Sequence, residues 1–217
     1  MAAFPTCSIE DAHQCLLQAR DMLARTRLMC SRAQESLEET LLMREGIHAQ
    51  IEDLAMRGPF RREFTTTLLT KILDAAIEGT DADMGNIQLL DSRSGQLRIH
   101  VQRGFEPPFL EFFGSVHLGQ AACGMALQTA KRIIVADVAD SPIFRSSDSL
   151  EIMLDAGVRS LQSTPLAGRS GRVWGMLSTH YKTVRQPRKG DFQLIDYLAD
   201  WAAALLEVQQ RLAAEGN

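Results

Sequence analysis

Cys123 sits in Ala122-Cys123-Gly124, at the predicted start of a short helix. A helix N-terminus lowers the pKa of a thiol and favours the nucleophilic thiolate. One reading of Cys123 is therefore a redox sensor or an attachment point; the other is a small buried core residue. The remaining cysteines are Cys7, Cys15 and Cys30, and no two of the four have CxxC spacing. Thiol exchange through Cys123 thus lacks a resolving partner in its own part of the chain. No set of His, Cys or carboxylate residues has metal-ligand spacing, so no metal is expected and no cofactor is identified. His180 lies in Ser178-Thr179-His180-Tyr181 at the end of a predicted strand. It reads as a cavity ligand or proton switch, or as a strand-end imidazole bonded to nearby backbone. His100 and His117 stand alone and read as surface or loop residues.

Polar residues inside predicted strands are a second signal. Side chains alternate along a strand, so Asn86 and Gln88 share a face, as do Gln162 and Thr164, and Ser178 and His180. Polar groups buried in a sheet are costly unless satisfied, so either a ligand or ordered water meets them, or that face is solvated. Phe109, Phe112, Phe113 and Phe144 fall in one segment. Aromatic rings over a few polar groups describe a small-molecule pocket, and equally a core packed on a sheet. The candidate ligand-binding set is Asn86, Gln88, Phe112, Phe113, Cys123, Phe144, Gln162, Thr164 and His180, with no catalytic residue assigned. Asp137 and Asp140 read as turn residues through Asx-type bonds. Ser163 lacks a Gly-x-Ser-x-Gly elbow, and no glycine cluster forms a phosphate loop.

The elements that position these residues follow from periodicity and breakers. Residues 8–56 hold one glycine, Gly46, and no proline. With Ile9 as heptad position a, eleven of the fourteen a and d positions are apolar, against about six expected by chance. Methionines and Cys15 at g positions widen the stripe beyond a two-stranded seam. The expectation is a long helix over 1–58 in a multi-helix bundle, paired with a second copy of itself. Gly58-Pro59 breaks it, and a second region over 59–217 follows. There a helix is predicted over 61–79, strands over 84–91 and 96–103, and a short aromatic helix or loop over 107–114. A helix over 121–129, a strand over 132–136, a helix over 149–156, a hairpin over 158–182 and a last helix over 190–214 complete it. Gly168-Arg169-Ser170-Gly171 has the composition of the hairpin turn. The order fits an α+β fold, one antiparallel sheet of five to six strands with helices on both faces.

Composition sets outer limits. Of 217 residues, 45% are hydrophobic, enough for a packed core. The net charge of -4 carries no basic block, which argues against a nucleic-acid binder. The longest apolar run, residues 201–206, is far short of a membrane span, and the N-terminus has no secretory layout. A cytoplasmic protein is expected, with neither nucleic acid nor membrane as partner.

The hairpin Val158 to Tyr181, ending in Gly-Met-Leu-Ser-Thr-His, resembles the signature hairpin of GAF domains, small-molecule sensor modules of bacterial signalling proteins. The resemblance extends to residues 84–91, 122–127 and 135–138, and covers about 60–212. It implies that the first and last helices of the domain cover one face of the sheet. It implies that residues of about 105–157 roof a cavity on the other, and that the outer helices pair across a homodimer. The cyclic-nucleotide and bilin markers of the family are absent. GAF-like reductases of free methionine sulfoxide use several cysteines, and this region has one.

Three functions follow as expectations. The first is a non-enzymatic sensor whose ligand biases a dimeric helical bundle. The chain carries no kinase, cyclase or DNA-binding segment, so its output would pass to another protein unless the chain is a piece of a longer one. The second is a redox enzyme or thiol sensor acting through Cys123. The third is a structural dimerisation protein with no ligand.

Overall fold

Thr65, Leu69, Ile72, Leu73 and Ala76 recur at helical spacing and are all buried, which makes Arg62–Gly79 an amphipathic helix, α1. The computed structural model describes residues 62–145 and 148–215, with side chains over 65–145 and 148–214. The long helix expected over 1–58 and the hinge at Gly58-Pro59 lie outside the described residues.

After α1 the chain alternates, and strands β1 (Met84–Leu90) and β2 (Leu97–Arg103) pair antiparallel. Asp91 makes the turn between them: it accepts from Arg93 N–H at 2.9 Å and from the Ser94 hydroxyl at 2.8 Å. A short helix, α2 (Pro107–Phe112), starts with two prolines, whose missing N–H groups cost nothing there. A two-residue strand, β3 (Ser115–Val116), follows, for which the sequence carries no periodic signal. Next come α3 (Ala121–Thr129), β4 (Ile133–Val135) and α4 (Asp148–Asp155). The hairpin β5 (Ser160–Ala167) and β6 (Val173–Tyr181) turns through Gly171, whose φ of 79° suits glycine. Helix α5 (Lys189–Glu215) ends the described chain.

The six strands form one antiparallel sheet in the order β3-β2-β1-β6-β5-β4. β1 and β6, from opposite ends of the domain, lie side by side at its centre. Two hydrophobic cores flank the sheet. On one face Ile87, Leu166 and Leu177 pack with Leu69 and Leu73 of α1 and with Ile195, Ala202 and Leu205 of α5. On the other, Met176 and Leu161 pack beneath Phe109, Phe113, Val116, Ala126, Phe144 and Met153. We call these the helix face and the roof face. Gly85 lets α1 approach closely: a Cβ there would lie 2.9 Å from Leu73 Cδ1 and 3.0 Å from the Ser178 carbonyl oxygen.

Arg185 ties the β6–α5 link to α1. Its guanidinium stacks on Tyr181 at 4.2 Å, donates to the Thr80 carbonyl at 3.1 Å and pairs with buried Asp191 at 2.7 Å. No described helix is long and apolar enough to cross a membrane.

Candidate functional site

Alternation decides which strand residues can meet. In β1, Ile87 enters the helix-face core, so Asn86 and Gln88 point to the roof face. In β6, Leu177 enters the helix-face core, so Ser178 and His180 point to the roof. The register sets Met84 opposite His180 and Asn86 opposite Ser178, which brings His180 diagonally beside Asn86. A hollow lies above this floor, with a volume of about 10 Å³, the size of one water molecule. Asn86, Gln88, Leu161 and His180 line it from the strands. Phe109 and Phe113 close it from the α2 side, and Val116 closes it from β3. Ala121, Ala122 and Cys123 form the α3 wall, and Met153 the α4 wall.

The floor is polar and poorly satisfied. Asn86, Gln88 and His180 are each at most 2% exposed. Asn86 Oδ1, Gln88 Oε1 and His180 Nδ1 have no hydrogen-bond partner within the protein. Buried polar atoms without partners are rare, because each forfeits on the order of 1–3 kcal/mol of hydration. Three around one hollow are a concentrated cost. No Asp, Glu, Lys or Arg lines the hollow. His180 is held edge-on to Phe105 at 5.0 Å and to Phe109 at 6.0 Å. Burial lowers its pKa to about 3, so it is neutral at physiological pH.

Cys123, the third residue of α3, is half-buried and sits between two strand hydroxyls. Its sulfur lies 3.2 Å from Ser163 Oγ and 3.4 Å from Ser178 Oγ, and the two hydroxyls lie 2.7 Å apart. Three donors and three acceptors close a ring in which every group is satisfied. Burial raises the Cys123 pKa, and the two hydroxyl bonds only partly oppose it. The lowering expected from a helix N-terminus is thus overridden by desolvation.

The α3 wall is strained at both ends. Ala121 has φ 51° and Ala130 has φ 50°, in the left-handed region where an alanine is held at a cost of about 1–2 kcal/mol. Such residues cluster at ligand clamps and switches.

The structure brings together Asn86, Gln88, Phe113, Cys123 and His180. It does not bring the other four candidates to the hollow. Gln162 and Thr164 share the parity of Leu166 and lie on the helix face. There Gln162 donates to Thr179 Oγ1 at 3.2 Å, and Thr164 accepts from Arg132 Nε at 2.9 Å. Arg132 in turn pairs with Asp196 of α5. Phe112 is half-buried and stacks edge-on against Phe113 at 4.8 Å, outside the lining. Phe144 is fully buried in the roof core. Phe109 took Phe112's place because residues i and i+4 of a helix share a face, and the pair Phe109 and Phe113 carries that spacing. Ala121, Ala122, Val116, Met153 and Leu161 had no chemical signal; only the placement of 105–157 over the sheet pointed to them.

The other singled-out residues hold structure. Asp137 accepts from Ala139 N–H at 3.0 Å and pairs with Arg159 at 2.8 Å, which holds its carboxyl below the usual range. His100 meets Thr66 Oγ1 of α1 at 2.9 Å, and exposed His117 meets Gln96 Nε2 at 3.3 Å. Among the described residues no three His, Cys, Asp or Glu side chains are grouped to hold a metal.

The sequence model of the GAF domain family matches residues 64–207. No curated protein matches the chain. Solved structures do. The GAF domain of a phosphoenolpyruvate-protein phosphotransferase from Coxiella burnetii is 15% identical, with TM-score 0.59, covering 80% of this chain and 98% of that one. The corresponding domain from Acinetobacter is 15% identical, with TM-score 0.57, covering 81% and 98%. A free methionine-R-sulfoxide reductase from Neisseria meningitidis, solved with its substrate, is 19% identical, with TM-score 0.57, covering 78% and 91%. At these identities the likeness is one of fold.

Proposed function

The chain belongs to the GAF domain family of small-molecule sensing and signalling modules, and we propose that it works without catalysis. A small molecule enters the roof-side hollow, and the packing of α1 and α5 reports its presence to a second copy of the chain and onward to a signalling partner. The observation that carries this reading is the set of three unpartnered polar atoms around one hollow. A protein whose roof face served only as core would be more stable with apolar residues there.

Strand β1 offers a physical route for the signal. Asn86 and Gln88 face the hollow, while Ile87 between them faces α1 and α5, and Gly85 holds α1 against the strand. A ligand that shifts β1 therefore shifts the surface on which the helices pack. It changes the output only as far as it prefers one packing to the other.

The likeness to a methionine sulfoxide reductase favours a second reading, an enzyme acting through Cys123. Two features count against it. The Cys123 thiol is held protonated in a ring with Ser163 and Ser178. A free amino acid carries two charges, and no charged side chain lines the hollow to meet them. Native mass spectrometry of freshly purified full-length protein tests the proposal. The expected species is a dimer with a non-covalent small-molecule adduct. A monomer free of adduct contradicts it, and methionine formation from its sulfoxide would establish the enzyme.

A further inference from the structure

We propose that the hollow selects a small uncharged molecule that presents N–H or O–H donors to Asn86 Oδ1, Gln88 Oε1 and His180 Nδ1. This deepens the reading of the hollow as a ligand site and rests on it. The two amide oxygens can only accept hydrogen bonds, and the imidazole Nδ1 accepts in the tautomer that carries its proton on Nε2. The site is therefore short of donors.

The lining also decides charge. Its remaining members are Phe, Val, Ala, Met, Leu and the internally bonded Cys123. A carboxylate or phosphate brought there would lose its hydration with no cation to replace it, and would set its oxygens against three acceptors. A cation would satisfy the acceptors but find no carboxylate. The apolar walls accept a short hydrocarbon body beside the polar edge. Primary amides and similar neutral molecules come nearest to these conditions: they carry no charge and bring two N–H donors, enough for both amide oxygens. The volume of about 10 Å³ is smaller than such a molecule, so a wall must move to admit it. The α3 wall, bracketed by Ala121 and Ala130 in left-handed conformations, is the strained one.

Four probes of nearly identical size separate these requirements: acetamide, acetate, acetone and acetamidinium. Each is titrated into the full-length wild-type protein, and the side-chain amide signals of Asn86 and Gln88 are followed by NMR. Acetamide is expected to shift both signals saturably, with an affinity on the order of tenfold higher than any of the other three, the worth of one buried hydrogen bond. The double variant Asn86→Leu/Gln88→Met, followed through the His180 ring signals, is expected to lose the response. Acetate or acetamidinium binding as tightly as acetamide overturns the exclusion of charge, and equal binding of acetone overturns the need for donors. In those cases the hollow still binds, and the sensor reading survives. No response to any of the four, from a protein with the spectrum of a folded chain, overturns both.

Discussion

On the helix face, Ile87, Leu166 and Leu177 meet the leucines and alanines of α1 and α5 in close packing. One residue along the same strands the side chains point the other way: Gln88 lines a hollow whose polar atoms are partly unpartnered, and Ser178 bonds to Ser163 and Cys123. The helix face has orphans too, such as Gln162 Oε1 and Trp174 Nε1, but none of them lines the hollow. The two faces of one sheet thus differ in how their buried polar atoms are placed. The helix face supplies stability through apolar burial. The roof face gathers three buried polar atoms without partners around one hollow.

The contrast breaks first at neighbouring residues. Leu177→Ala should cost about 3 kcal/mol, the usual penalty for truncating a fully buried leucine. Ser178→Ala, on the opposite face, should cost about 1 kcal/mol, since the Cys123–Ser163 contact remains. Urea unfolding of both variants checks the ratio; equal losses would erase the distinction between faces.

The pH dependence sharpens it. The unfolded chain, with an ordinary imidazole near 6.5, takes up a proton that folded His180 refuses until about pH 3. The contribution of neutral His180 is therefore complete above pH 6.5 and declines as pH falls, by about 1.4 kcal/mol per unit down to about pH 3. Stability measured between pH 7 and 5 should fall for the wild type and fall less steeply for His180→Gln. Parallel slopes would show that His180 is not buried neutral.

Cys123 makes a smaller prediction. Its raised pKa keeps the thiol protonated at neutral pH. Alkylation followed by peptide mass spectrometry should be slower at Cys123 than at an ordinary thiol, and should rise only above the usual thiol range. Cys123→Ser should keep the hydrogen-bonded ring and change stability by less than about 1 kcal/mol. Fast labelling at pH 7 would restore the redox reading.

The smallest effect concerns the α3 wall. Alanine to glycine at an ordinary helix position costs about 1 kcal/mol. At Ala121, with φ 51°, Ala121→Gly should be neutral or slightly stabilising, because glycine adopts that conformation freely. An ordinary loss in thermal melting would show that α3 starts without strain.

Most elements were legible because their signals are local. Apolar spacing marked α1 and α5, and turn residues such as Asp91 and Gly171 marked the hairpins. The two residues of β3 are too few for any periodicity. Half of the site was legible for the same reason: in β1, Ile87 and Leu89 on one parity assign Asn86 and Gln88 to the other. β5 reads Ser-Leu-Gln-Ser-Thr-Pro-Leu-Ala, with Leu161 on the roof face and Leu166 on the helix face. Its apolar residues lie on both parities and both faces are buried, so alternation is silent there. The pattern therefore fixes no face for Gln162 and Thr164, which the structure places on the helix face. The unpartnered state of three polar atoms was beyond reach, because it depends on what packs against them.

The most direct test of the account is the melting temperature of the wild type and of Asn86→Leu/Gln88→Met, each with and without acetamide. If the floor is kept polar for a ligand, the double variant melts higher than the wild type alone, by about 2–4 °C per kcal/mol recovered. Acetamide then stabilises the wild type relative to the variant. A variant that melts lower than the wild type, with the same response to acetamide, would mean that Asn86 and Gln88 are structural and that no ligand is awaited there.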